Sequence, residues 1–222
     1  MEADGLATLV IFDLDNTLVD RERFFLEWAE SFADSRSLGA EGLRWLQAAD
    51  EDGLASRSGL FERARERFGV LDSVEDMVEA YWRDQMTRYR CDAETVEGLR
   101  DLRRRGFRIG IGTNGGSEQS KKIVAAGLDA LVDGWCVSRV IGFAKPHAEL
   151  FRAVATRCGA TLDGAWVVGD RPTTDIAGAV NIGARSVWIA RGEDWSEPGY
   201  RPTLTAPTAA SAIAQIIVVD SA

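Results

Sequence analysis

Residues 8–17 read TLVIFDLDNT, and this stretch decides the fold. Its first half is short, apolar and rich in residues that favour β-strands. Two aspartates, Asp13 and Asp15, follow at once. An apolar run of this length that stops at polar residues is typical of a buried strand. We therefore expect both aspartates at the carboxyl end of a core strand.

Similar apolar runs recur later in the chain, and helical patterns separate them. One helix is expected from a cap at Asp92 to Gly106, another from Ser117 to Gly127, and a third with Pro146 in its first turn. Alternating strands and helices favour an α/β fold with a parallel sheet that is covered on both faces. The further predicted strands cover residues 107–111, 134–137, 165–168 and 186–189.

Residues 21–90 break this alternation. They contain no strand-like run, and their aromatic residues recur at helical spacing, which favours packing over a cofactor site. Ser73 and Asp76 give a capping pattern before the last of these helical segments. We predict an α/β core domain over residues 1–20 and 91–222, with a helical domain of residues 21–90 inserted in it.

Composition limits the class of protein. The chain has 222 residues, of which 45% are hydrophobic and 27% charged, enough to bury a core. With 26 basic and 35 acidic residues, its net charge is -9, which disfavours nucleic acid as a partner. The three cysteines lie far apart without metal-ligand spacing and are expected to be reduced.

No targeting or membrane segment is expected. The N-terminal stretch lacks a basic flank followed by an apolar core, so we predict no signal peptide. The longest charge-free segment, residues 206–219, is too short to span a bilayer and is predicted to form a terminal core helix. The preceding residues 193–208 are predicted to be surface loop. A cytoplasmic protein without a membrane partner is the expectation.

Polar clusters follow the ends of four predicted strands, and the first contains Asp13 and Asp15. Residues two apart on an extended chain face the same side, so their carboxylates repel unless a cation or a proton intervenes. One can be a nucleophile and the other a general acid and base. The alternative is a strand end with helix-capping acids. Asn16 tolerates the left-handed conformation that a sharp exit needs.

The second and third clusters are less specific. Thr113, Asn114, Gly115 and the following glycine combine a hydroxyl with backbone amides at a helix start, which can bind an anion; the alternative is an ordinary capped turn. Lys145 lies on the loop before a helix, where its ammonium suits a phosphate oxygen or a crowded carboxylate. The alternative is a solvated surface lysine.

The fourth cluster brings Asp170 and Asp175 after the predicted strand 165–168. Carboxylate oxygens at such a place suit Mg²⁺, which binds through a few carboxylates and substrate phosphate. Ligands of open α/β sheets bind beyond the carboxyl ends of the strands. We therefore expect the four clusters to converge on one site.

In this order, with each cluster after a strand, the chain resembles the haloacid dehalogenase (HAD) superfamily over about residues 6–192. The resemblance implies a Rossmann-like core, and the helical insert resembles the C1-type cap of that family. Asp15 points to the phosphatase branch, since the dehalogenases lack an aspartate at that position. A phosphate ester needs a proton for its leaving oxygen, which Asp15 can deliver.

The resemblance also implies roles. Asp13 matches the nucleophile and Asp15 the general acid and base. Thr113 matches the hydroxyl that binds phosphate, and Lys145 the lysine that steadies the nucleophile and the phosphoryl group. Mg²⁺ is implied as the cofactor, held by Asp13, the backbone carbonyl of Asp15 and Asp170, with Asp175 binding directly or through water.

The expected function is a Mg²⁺-dependent phosphatase of small phosphorylated metabolites that works through an aspartyl-phosphate. A phosphotransferase or phosphomutase of the same superfamily and a non-catalytic regulatory protein that binds phosphometabolites are the alternatives. Arg57, in a predicted polar loop of residues 52–58, is a candidate to bind a second part of the substrate, or else a solvated arginine near a helix start. His147, the only histidine, is expected at the surface. The substrate and the oligomeric state stay open.

Overall fold

The computed structural model describes residues 7–221. Within that range, six strands form a single parallel sheet in the order β3-β2-β1-β4-β5-β6. The strands are β1 (Leu9–Phe12), β2 (Arg108–Thr113), β3 (Gly134–Val137), β4 (Trp166–Gly169), β5 (Arg185–Ile189) and β6 (Leu204–Ala206).

The strand order reverses at β1, which pairs with β2 on one side and β4 on the other. This is the order of doubly wound dinucleotide-binding sheets, and it confirms the predicted Rossmann-like α/β class. Val10 lies opposite Ile109 of β2 and Trp166 of β4. A crevice beyond the carboxyl ends of these central strands is where such folds bind ligands.

The helices occupy the places that the caps predicted. Asp92 and Ser73 each accept a hydrogen bond from the backbone N–H three residues on, at the starts of the helices Ala93–Arg104 and Val74–Arg88. The placement of Pro146 was wrong, because the helix that follows it begins only at Ala148. The helices are α1 (Arg21–Ser35), α2 (Gly39–Ala49), α3 (Arg57–Phe68), α4 (Val74–Arg88), α5 (Ala93–Arg104), α6 (Glu118–Ala125), α7 (Ser138–Ile141), α8 (Ala148–Arg157), α9 (Ala177–Asn181) and α10 (Ala209–Asp220).

The sheet is packed by alternating side chains. Leu9 and Ile11 of β1 join Leu150 and Val154 of α8 in one buried cluster. Residues at odd positions of a strand share a face, so the intervening Val10 and Phe12 belong to the other face. One face of α10 is buried, which confirms the terminal core helix. Within residues 7–221, each helix is too short or too polar to span a lipid bilayer.

The stretch predicted as surface loop, residues 193–208, contains β6. Only Leu204, Thr205 and Ala206 pair with β5, and a run of three residues is too short to show a strand pattern. The indole N–H of Trp195 in the same stretch donates to the Glu197 and Tyr200 carbonyl oxygens, so this stretch is ordered by its own contacts. The prediction of a plain loop was wrong here.

The chain divides into two compact units. The first unit contains the whole sheet and is built from two stretches of chain, one that ends at Val19 and one that begins at Arg90. The second unit is Asp20–Tyr89 and contains α1–α4. Aromatic side chains fill the core of the helical unit. The rings of Trp28 and Tyr81 meet edge to face with centroids 5.0 Å apart. These residues therefore pack, as their spacing predicts.

Candidate active site

The four polar clusters meet at the carboxyl ends of the central strands. Asp13 directly follows β1, and its backbone N–H donates to the Val168 carbonyl oxygen of β4 (2.8 Å). Thr113 is the last residue of β2, and Asp170 directly follows β4. The expected convergence is therefore present in the structure.

Lys145 lies at the centre of this site. Its ammonium contacts Oδ1 of Asp13 and lies 2.7 Å from Oδ1 of Asp175. The residue is only 5% exposed, so it is not a solvated surface lysine. Burial alone would lower the pKa of Lys145, but the attraction of Asp13 and Asp175 together raises it above its ordinary value. The lysine therefore keeps its charge inside the protein.

Asp13 is a buried carboxylate with a raised pKa. Burial raises the pKa of Asp13 to about 6, Asp175 and Asp15 add to the rise, and Lys145 opposes it. A group with this pKa is mainly ionised at neutral pH. Asp13 is therefore available as an oxygen nucleophile and held in place by Lys145.

Asp170 joins Asp13 and Asp175 in an acidic group. One carboxylate oxygen from each of Asp13, Asp170 and Asp175 lies within 4.8 Å of the others. Burial, followed by repulsion from Asp13 and Asp175, raises the pKa of Asp170 to about 8. Lys145 supplies one positive charge to three carboxylates, and Arg191 reaches Asp170 only at 3.9 Å.

This acidic group fits a divalent cation. Oδ1 of Asp170 is buried, and no atom of the described residues forms a hydrogen bond with it. A buried carboxylate oxygen without a partner is costly, and a hard cation would satisfy it. The donors are all carboxylate oxygens, the ligands that Mg²⁺ prefers. The residues present therefore suit Mg²⁺.

The backbone around the fourth cluster holds its acids in place. Asp175 is 1% exposed and accepts a hydrogen bond from the Arg171 backbone N–H (3.0 Å). A methyl group on Gly169 would lie 2.3 Å from the Asp175 carboxylate, so only glycine lets this side chain cross the end of β4. The indole N–H of Trp188 donates to the backbone carbonyl of Asp170 (2.8 Å).

Asp15 has a separate set of partners. Its Oδ2 accepts from the Lys122 ammonium (2.9 Å) and from the Gln119 side-chain amide (2.8 Å), and Oδ1 lies 3.1 Å from Lys122. Sequence reasoning missed both partners. A glutamine and a lysine three residues apart, on one face of the helix that follows the second cluster, are the signal that could have found them. Asn16 has a φ of 62°, the left-handed conformation expected of it.

The second cluster differs in part from its prediction. Thr113 Oγ1 accepts a hydrogen bond from the Gln119 amide (2.8 Å). The side chain of Asn114 bonds to both backbone groups of Lys145, at 2.9 and 3.2 Å. The Gly115 backbone N–H donates to Ser138 Oγ (3.0 Å), so it is not presented to an anion. Asn114 and Gly115 therefore hold the site together in this structure, and their predicted contact with substrate stays a prediction.

Arg57 lies in the helical unit as the first residue of α3, so the polar loop predicted over residues 52–58 ends two residues earlier, at Ser56. Its guanidinium is buried, contacts Asp50 (2.6 Å) and the Ala55 carbonyl oxygen (3.0 Å), and packs against the Tyr81 ring. It is therefore not a solvated arginine. Its predicted contact with substrate stays a prediction.

Asp50 balances two arginines, because Arg21 contacts the same carboxylate. Burial would raise the pKa of Asp50, but the hydrogen bonds and charges of Arg21 and Arg57 outweigh burial and lower it. His147 lies in the sheet unit and is exposed, as expected. It occupies the position before α8.

Sequence comparison identifies the family. A sequence profile of the haloacid dehalogenase-like hydrolases matches residues 7–183. The chain belongs to this family. The predicted superfamily is therefore confirmed.

This HAD-like hydrolase is similar to several characterised phosphatases. It is 33% identical over 191 residues to the phosphoserine phosphatase of Thermus thermophilus, a match that covers 83% of this chain and 76% of that protein. It is 34% identical over 93 residues to the glyceraldehyde 3-phosphate phosphatase of Pyrococcus abyssi, covering 41% and 39% of the two chains. The predicted enzyme class, a phosphoester hydrolase, is confirmed.

A solved structure shares the fold of this HAD-like hydrolase. The crystal structure of a HAD phosphatase from Thermococcus onnurineus superposes with a TM-score of 0.68 at 24% identity, covering 95% of this chain and 97% of that one. At this identity the similarity concerns the fold alone.

Proposed function

We propose that this HAD-like hydrolase is a Mg²⁺-dependent phosphatase of small phosphorylated metabolites that works through an aspartyl-phosphate on Asp13. The observation that carries the proposal is the buried cluster of Asp13, Asp170 and Asp175 around Lys145. It combines an ionised nucleophile with acids whose negative charge exceeds the positive charge that Lys145 supplies. The phosphatases among its relatives support the same reaction class.

Asp13, Asp170 and the backbone carbonyl of Asp15 would hold Mg²⁺, with Asp175 directly or through water. When bound, Mg²⁺ would neutralise charge on the phosphoryl oxygens and on the crowded acids. Lys145 supplies part of the same neutralisation without a metal, because its ammonium already lies against Asp13.

In the first half of the reaction, a carboxylate oxygen of Asp13 attacks phosphorus. A bond forms between that oxygen and phosphorus while the bond to the leaving oxygen breaks. Asp15 donates its proton to the leaving oxygen, so an alcohol departs. Lys145 and the Thr113 hydroxyl stabilise the charge on the equatorial phosphoryl oxygens.

In the second half, the aspartyl-phosphate is hydrolysed. Asp15, now a carboxylate, takes a proton from water as the water oxygen attacks phosphorus. The bond between phosphorus and Asp13 breaks, inorganic phosphate leaves, and Asp15 again holds a proton. Both halves use the same pair of aspartates, which explains why two carboxylates follow β1 in this sequence.

We further propose a division of labour between the domains predicted from the sequence. The core of residues 1–20 and 91–222 binds the phosphoryl group. The helical domain of residues 21–90 acts as a cap that contacts the rest of the substrate, with Arg57 as its candidate residue. Asp50 already engages this arginine, so a substrate carboxylate or phosphate would compete with or add to that contact.

A phosphometabolite panel tests the proposed function. Purified protein is assayed for phosphate release from a small aryl phosphate and from sugar phosphates, nucleotides, phosphoserine and phosphoglycolate, with Mg²⁺ or with excess EDTA. We expect Mg²⁺-dependent release and a clear ranking of kcat/KM. Phosphate found on an added hydroxyl compound instead of free in solution would indicate a transferase, and no turnover of any compound would contradict the proposal.

A further inference from the structure

Helix α6 places two buried polar side chains beside the site. Gln119 is 3% exposed and Lys122 5% exposed, and both reach Asp15. A buried lysine needs a nearby carboxylate, and a buried amide needs hydrogen-bond partners. Neither side chain takes part in the proposed reaction steps, although both contact residues that do.

We infer that Gln119 and Lys122 are positioning residues that hold the Asp15 carboxyl group in the orientation required for proton transfer to the leaving oxygen. This inference rests on the proposed function. Rotation about the last side-chain bond of an aspartate is broad, so an unsupported carboxylate samples many orientations. Contacts from the Lys122 ammonium to both carboxylate oxygens, at 2.9 and 3.1 Å, restrict that rotation.

Gln119 links the acid to the phosphate-binding hydroxyl. Its Nε2 lies 2.8 Å from Asp15 Oδ2 and 2.8 Å from Thr113 Oγ1. In its ionised form, which the second half of the reaction uses, Asp15 only accepts hydrogen bonds, so the amide nitrogen faces it. Thr113 Oγ1 therefore accepts a bond from the amide, which leaves its own hydrogen to be donated to another oxygen. A phosphoryl oxygen is the acceptor that the proposed function supplies.

The carbonyl end of the Gln119 side-chain amide shows that this arrangement costs stability. Oε1 is buried, and it has no hydrogen-bond partner among residues 7–221. A glutamine retained only for stability would satisfy both ends of its amide. Gly115 makes room for the side chain, because a methyl group there would lie 2.6 Å from Gln119 Cγ. The local sequence therefore favours the contact with Asp15 and Thr113 over full satisfaction of the amide.

A comparison of leaving groups tests the role of Lys122. Wild type, Lys122→Met and Lys122→Arg are assayed with Mg²⁺ on an alkyl phosphate and on 2,4-dinitrophenyl phosphate, whose leaving group departs without a proton. The control is Lys121→Met, which removes an exposed lysine from the same helix. Melting temperatures report whether each variant folds.

We expect Lys122→Met to lower kcat/KM for the alkyl phosphate by roughly 10- to 100-fold, part of what a general acid contributes. For the dinitrophenyl ester, kcat/KM should change by less than about twofold, because this ratio reports the first half of the reaction, in which that leaving group needs no proton. Lys122→Arg should recover much of the alkyl phosphate activity, and Lys121→Met should match wild type.

Gln119→Leu provides a second variant that does not remove a charge. It should lower kcat/KM for both esters, because Thr113 loses its orienting bond, and by a larger factor for the alkyl phosphate, while the melting temperature stays equal or rises. Equal losses of kcat/KM on both esters in folded Lys122→Met, or no loss in either variant, would overturn the inference alone. Failure of the wild type to hydrolyse either ester would instead overturn the proposed function, and the inference with it.

Discussion

Each unit of the chain buries a cluster of charged side chains, and the two clusters have opposite compositions. Within residues 7–221, the sheet unit groups three carboxylates, two of which contact the Lys145 ammonium, whereas the helical unit places two guanidiniums on Asp50. The pKa of Asp50 is lowered by its arginines, but burial and mutual repulsion raise the pKa values of Asp13 and Asp170.

In the helical unit, the negative charge of the acid is matched by its positively charged partners. In the sheet unit, the negative charge of the acids exceeds the positive charge beside them. Raised pKa values in a group of neighbouring carboxylates are typical of sites that bind a cation or transfer a proton. A lowered pKa is typical of an acid whose charge is matched by its partners. Burial alone therefore does not identify a functional acid, and the balance of its neighbours does.

The largest expected effect is that of Asp13→Asn on turnover. An amide has nearly the shape of the carboxylate but is a far poorer nucleophile, so activity should fall by several orders of magnitude. The fold should persist, because an amide oxygen can still accept the Lys145 hydrogen bond. Phosphate release and circular dichroism check both points. Activity within about tenfold of wild type would exclude the covalent mechanism.

In the helical unit, the corresponding substitution should affect stability. Asp50→Asn leaves the buried guanidiniums of Arg21 and Arg57 without their shared carboxylate, which should cost about 3–5 kcal/mol of unfolding free energy. Urea denaturation measures the change, and Asp34→Asn at an exposed position of α1 is the control. A loss no larger than that of the control would show that Asp50 is not the balancing acid.

Asp170→Ala should raise the Mg²⁺ concentration needed for activity. Loss of a ligand should cost at least the roughly 10- to 100-fold that outer-shell partners cost. Ca²⁺ should inhibit the wild type, because it admits more ligands than octahedral Mg²⁺ and can engage both oxygens of Asp13. Metal titrations of the rate measure both effects. Unchanged Mg²⁺ dependence in Asp170→Ala would remove Asp170 from the metal site.

The smallest expected effect concerns specificity. Arg57→Ala should raise KM for the best natural substrate by roughly tenfold, the scale of one lost hydrogen bond to a charged group. Hydrolysis of a small aryl phosphate should hardly change, since that ester offers the arginine nothing to bind. Arg44→Ala, which removes an exposed arginine of the same unit, is the control. Equal effects on both substrates would limit Arg57 to its structural contact with Asp50.

Local patterns predicted much of the fold and site. Apolar runs that end in acids marked β1 and β4, and parallel strands bring such ends together, so Asp13, Lys145 and Asp170 followed from the sequence. Gln119 and Lys122 did not, because their partner Asp15 lies 104 and 107 residues away in the chain. β6 was not predicted, because three residues are too few to show the alternating pattern of a strand.

The contacts of Arg57 also depend on tertiary packing. Arg57 follows a serine that caps α3, which the sequence shows, but its burial against Asp50 and Tyr81 depends on how three helices pack. The sequence likewise shows that Asn114 is a polar residue after a strand, but only the structure reveals that its side chain bonds to the backbone of Lys145.

The central claim is that the buried carboxylates of the sheet unit form a cation site, and the effect of Mg²⁺ on melting temperature at two pH values tests it. Without metal, the folded protein keeps a proton on Asp170 up to about pH 8, whereas an unfolded chain loses it near pH 4. Metal-free stability should therefore fall as pH rises through this range.

Mg²⁺ binds the deprotonated acids, so the stabilisation it provides should grow with pH as protons cease to compete. The melting temperatures of wild type and Asp170→Asn are measured with and without Mg²⁺ at about pH 6 and about pH 8.5. We expect a gain in the wild type that is larger at the higher pH, and little gain in Asp170→Asn. An equal gain in both proteins, or none in the wild type at either pH, would contradict a cation site at these carboxylates.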